Sequence, residues 1–130
     1  MSDEALAAYA RRLRGLRELS AEAAKEAAPR LEKLVQGTAA AGTDVDGKPW
    51  PTKRDGSRAL PNAAGAISAV ANGMAVIVKL VGAYVFHNSA KGADRRRILP
   101  ESGAGIQKSV AHECREATKR AFERLMRPSR

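Results

Sequence analysis

Two histidines, one cysteine and a run of three arginines are the residues of this chain whose chemistry reaches beyond packing. His112 opens the segment "HECRE", which holds the first half of a helical zinc-protease pattern. That pattern needs a second histidine four residues on, and Glu116 stands there instead. His112 therefore reads as a surface residue of an amphipathic helix. Cys114 falls on the apolar stripe of the same helix and reads as a small buried hydrophobe, not a nucleophile. As the single cysteine it also excludes an internal disulfide and a multi-cysteine zinc site. His87 follows Tyr84 and Phe86, and Asp94 is the nearest acid in sequence, so neither a triad nor a dyad can be built around it. A structural role, with the ring hydrogen-bonded to nearby backbone, suits it better. The "GKPW" segment lacks both the earlier glycine and the following Ser or Thr of a phosphate-binding loop. These residues give no catalytic, metal or cofactor-binding assignment, and no enzyme is expected.

Arg95, Arg96 and Arg97, with Lys91 upstream, are the remaining candidates. Arginines on an exposed loop can neutralise phosphates and release counterions, which makes binding salt-dependent. The loop carries no interleaved aromatics of the kind that stack on single strands. Arginine forks also pair with carboxylates of acidic protein partners. The segment thus reads as a DNA-channel lining or a subunit interface, and replacing its three arginines with alanine is expected to leave the fold intact.

The whole chain sets the frame. Its 130 residues are expected to form one domain. Formal net charge is +9, and it is uneven: residues 1–40 hold 7 basic and 6 acidic side chains, 41–105 hold 9 and 5, and 106–130 hold 7 and 3. Such a balance suits proximity to a polyanion or an acidic protein surface. Aromatics are scarce at 4% and alanine is abundant, so the core should be thin and part of the burial should come from partner subunits. No apolar run approaches a membrane span, and residues 1–20 are too charged for a signal peptide, so the chain reads as soluble and intracellular.

The positioning elements follow from periodicity. Leu6, Tyr9, Leu13 and Leu16, then Ala23, Ala27, Leu31 and Leu34, predict a helix over 3–36, broken or kinked at Pro29 and stopped at Gly37. Gly, Pro and Asp density predicts a loop over 37–65, with turns at Asp46-Gly47 and Asp55-Gly56. Trp50, the only tryptophan, is expected to pin that loop to the domain or to anchor an interface. Asn72-Gly73 predicts a type I′ turn in a hairpin over 66–81, with Val76 and Val78 on one face of the second strand. A turn and basic loop should occupy 82–103, with "AYVFHN" as one helical turn and "RILP" as a possible short strand. A final helix over 105–127 carries Ile106, Val110, Cys114, Ala117, Ala121 and Leu125 as its stripe. The fold class is α+β: long N-terminal and C-terminal helices packed on a small antiparallel sheet.

The order of these segments resembles the tail-completion and neck proteins of tailed bacteriophages, often described as virion morphogenesis or minor tail proteins. The resemblance spans about residues 37 to 126. It rests on Gly47 and Trp50 after the first helix, on Tyr84, His87 and Gly92 after the hairpin, and on Arg97, Ile98, Leu99 and Pro100 before the last helix. It implies a non-enzymatic virion protein, made in the bacterial host cytoplasm, with no cofactor and no membrane partner. Copies would form a ring, six-fold, joining a tail tube or tail terminator to a head connector or portal-associated protein around passing DNA. The rival reading is a small basic protein binding nucleic acid without sequence preference, and a small hydrolase is a weaker third.

Overall fold

The computed structural model describes residues 2–53, 56, 59–89, 96–100 and 106–127. It is α+β: a long helical N-terminal arm, a two-stranded antiparallel sheet and a long C-terminal helix.

Helix α1 spans Asp3–Gly15, capped by the Ser2 side chain, which accepts from the Ala5 amide at 3.1 Å. Asp3 and Glu4 lie in its first turn and Arg12 and Arg14 in its last, each sign favourable for the helix dipole there. The helix then tightens into a 3₁₀ turn at Leu16–Glu18 before α2 begins, spanning Leu19–Ala41. The interruption thus falls beside Gly15, a poor helix former, and not at the expected Pro29. Pro29 lies inside α2 on its exposed side, where the unpartnered carbonyl of the preceding turn can meet water. Gly37 does not stop the helix either. About one further turn carries it on, with Ala39 buried, until Gly42 adopts the left-handed conformation at φ 78°. The amides of Gly42 and Thr43 then bond back to the carbonyls of Ala39 and Thr38, closing the helix. The expected loop over 37–65 is shortened accordingly, and a 3₁₀ turn at Ala63–Ala66 trims its other end.

Strand β1 (Ile67–Asn72) pairs with β2 (Ala75–Leu80) in a register that sets Asn72 opposite Ala75. The two-residue turn is therefore Gly73-Met74, one position later than Asn72-Gly73. Gly73 has φ 61° and Met74 is not left-handed, which fits a type II′ turn with glycine first; type I′ would need both residues left-handed. Val76, Val78 and Leu80 face the core, while Ala75, Ile77 and Lys79 face out. One sheet edge is covered by α2: Gln36 Nε2 donates to the Ile67 carbonyl at 2.9 Å, and the Ala69 amide donates to Glu32 Oε1 at 3.0 Å.

Short helix α3 spans Tyr84–Ser89, as the sequence expects. No strand forms over residues 97–100; Ile98 there is fully buried. Helix α4 spans Lys108–Met126, three residues later than expected, with Val110, Ala117 and Ala121 buried. Ile106 precedes it and is exposed, off the predicted stripe. Gly92, Gly105 and Pro128 lie outside the described residues. The core forms around α2, with the sheet against one of its faces and α4 alongside another. It is thin, as alanine-rich composition predicts: eight of its fifteen buried apolar residues are alanine.

Candidate functional site

From Arg96 onward the arginine segment is attached to the body of the subunit, and three anchors hold it there. The Arg96 amide donates to the His87 carbonyl at 3.0 Å, at the end of α3. Asn88 Oδ1 accepts from the amides of both Ile98 and Leu99 at 2.9 Å. Trp50 Nε1 donates to the Arg97 carbonyl at 3.0 Å. The indole is buried with Ile98, Val45 and Val35 in the main cluster, so one side chain ties two distant segments by packing and by a hydrogen bond.

The guanidinium groups point inward. Arg96 is 8% exposed, and its Nη2 donates to the carbonyls of Pro51 and Thr52 at 3.2 and 3.4 Å. An exposed basic loop was the expectation for this residue; the structure places it in the interior, where its guanidinium meets carbonyls of the loop following Trp50. Arg97 is half-buried, with Nη1 4.0 Å from Asp44 Oδ2. Asp44 is itself buried and accepts the Asp46 and Lys48 amides on Oδ1 at 2.9 and 3.0 Å, shaping the turn that ends at Gly47, φ 84°. The loop is held from the far side by Ser109 Oγ, which donates to the Val45 carbonyl at 2.6 Å.

Trp50, Arg96, Arg97 and His87 are thus brought into one constellation, and Tyr84 packs half-buried against the same core. Lys91 and Arg95 lie outside the described residues. Asp44, Asn88 and Ser109 belong to the constellation but carry no legible sequence signal for it, beyond the turn-forming Asp46-Gly47 beside Asp44. Arg96 serves as a fastener of this segment, so any phosphate contact would fall to more exposed cations. Exposed candidates are Arg11, Arg14 and Arg17 on the N-terminal arm and Lys108, Arg115, Lys119, Arg120 and Arg127 at α4.

The other sequence candidates separate. His112 is exposed on α4. Cys114, half-buried on α4, has its thiol pushed above the usual 9.0, first by burial and then by neighbouring Glu113, which disfavours the thiolate a nucleophile needs. Between α2 and α4, Arg124 bridges Glu22 and Glu26, and Lys25 also pairs with Glu22; these cations, Lys25 foremost, hold the Glu22 carboxyl below the usual 4.5. Arg30 and Glu113 pair at 3.0 Å farther along the same helix pair. No group of three or more His, Cys, Asp or Glu among the described residues is arranged to hold a metal ion, and no described helix is long and apolar enough to cross a membrane.

No protein-family model, curated protein or solved structure matches the chain.

Proposed function

We propose that this chain is a structural, non-enzymatic virion subunit of the phage neck or tail-completion kind, whose copies assemble into a ring around a DNA channel. The observation that carries the reading is how much apolar surface the subunit leaves in water. Leu6, Tyr9 and Leu13 on α1, Val70 and Ile77 on the outer sheet face, Met74 at the turn and Phe122 on α4 are all exposed. A subunit with a thin alanine core has little reason to expose these side chains unless another surface covers them. The +9 charge, with exposed cations on the arm and α4, suits a ring that passes DNA without reading its sequence. Neighbours would be a tail tube or tail terminator protein on one side and a head connector on the other. The basic segment then acts as an internal brace of the subunit.

Light-scattering mass and negative-stain imaging of the purified chain, alone and mixed with connector and tail-tube proteins, test this reading. Closed rings whose duplex-DNA affinity falls steeply with salt are the expected result. A monomer that stays monomeric with those partners, yet binds DNA tightly, would overturn it in favour of a basic nucleic-acid-binding protein.

A further inference from the structure

Helix α1 buries no residue of its own, and Leu6, Tyr9 and Leu13 stand on one face at 56%, 42% and 44% exposure. Spacing of three and four residues makes this a seam for docking on another apolar surface. A helix of 13 residues without such a surface would be marginal in water.

The same subunit carries a surface of complementary form. Between α2 and α4, a hollow of about 390 Å³ runs to Met74 at the hairpin tip, floored by Ala23, Ala24 and Ala27. A second hollow, against Leu19 and Phe122, shares Cys114 and Thr118 with the first, so the two form one groove. No α1 residue lines either hollow. The groove follows α2 from Leu19 to Leu31, roughly 18 Å at the helical rise, and α1 is about 20 Å long by the same measure. Small side chains on the floor leave room for the leucines and tyrosine of the seam. Charge sets a direction: Arg115 and Lys119 rim the Leu19–Phe122 end, and Asp3 and Glu4 occupy the first turn of α1.

We infer that the Leu6–Tyr9–Leu13 seam of one copy seats in the α2–α4 groove of a second copy, with Asp3 and Glu4 beside Arg115 and Lys119. Each copy offers one seam and one groove, so the contact is head-to-tail. Such contacts close into a ring or propagate as an open filament, depending on the rotation between copies. The inference rests on the self-assembly part of the reading above and names its contact; it requires neither DNA nor ring closure.

The test uses the full chain without DNA. Leu6→Asp with Leu13→Asp destroys the seam and keeps the groove; Thr118→Arg fills the groove and keeps the seam. All three positions are exposed, and circular dichroism confirms that each variant is folded. Wild type is expected to sediment as oligomers, and each variant alone at the monomer mass of 13.8 kDa. An equimolar mixture of the two variants should give dimers and nothing larger, because one intact seam and one intact groove remain per pair. Reversing the charges by Asp3→Lys with Glu4→Lys should weaken assembly at least tenfold, and adding Arg115→Glu with Lys119→Glu should restore it. Open filaments from the wild type would support this contact while failing the ring. A monomeric wild type at high concentration overturns the inference, as does an oligomer unaffected by Thr118→Arg, which would mean that seams pair with seams.

Discussion

The indole of Trp50 donates to the backbone carbonyl of Arg97 at 3.0 Å, across 47 positions of sequence. That bond joins the loop after α2 to the segment before α4, and the ring itself sits in the core beside Ile98. Among the described residues neither segment forms a helix or an extended strand beside this contact, so their mutual attachment depends on a few side chains.

Replacing Trp50 with Ala should therefore destabilise the subunit by about 3–5 kcal/mol, measured by denaturant unfolding. Trp50→Phe should lose less, because it keeps much of the packing while dropping the hydrogen bond. An unchanged midpoint for Trp50→Ala would mean that the ring does not support the fold.

The neighbouring arginines should differ sharply. Arg96→Ala removes the donor to the Pro51 and Thr52 carbonyls from a buried site and should cost about 1–3 kcal/mol. Arg97→Ala removes a half-exposed partner at 4.0 Å from Asp44 and should cost no more than about 1 kcal/mol. Equal losses in thermal unfolding would contradict this placement. The expectation that all three arginines can be replaced without harm to the fold is revised by the burial of Arg96.

Pro29→Ala should raise stability. It restores an amide inside α2 and removes the ring's clash with the preceding turn, a gain of about 1–3 kcal/mol after the added freedom of the unfolded chain is counted. A lower melting temperature would show that Pro29 makes a contact worth more than the helix bond it removes.

Alkylation of Cys114 should be slow at neutral pH compared with a free thiol, because burial keeps it protonated, and should accelerate as pH climbs past 9.0. The sign for stability follows from the same shift. The folded thiol titrates above the unfolded one, so its contribution is complete below 9.0 and is lost as pH rises through the folded value. The measurement is the rate of iodoacetamide labelling against pH, done on the Leu6→Asp, Leu13→Asp variant so that assembly does not cover the thiol. Rapid labelling at neutral pH would reverse the assignment of Cys114 as a packing residue.

Sequence alone determined what depends on neighbours along the chain. Helical periodicity marked the arm and α4, β-branched alternation marked β2 and the shared face of Val76 and Val78, and the Asp46-Gly47 pair marked a turn, because each is decided within a few residues. It misplaced the points where local preference competes with packing. Pro29 was tolerated because its face of α2 is exposed; Gly37 was carried through because Ala39 beyond it is buried; the hairpin turn lies one residue later because Gly73, and not Asn72, takes the left-handed first position. The tertiary structure alone decided the candidate site. Asn88 meets amides ten and eleven residues away, Ser109 reaches Val45 across 64 positions, and Arg96 turns inward to carbonyls 44 and 45 positions back. Whether an arginine faces solvent or a carbonyl depends on which distant backbone groups lack a donor, and no local pattern encodes that.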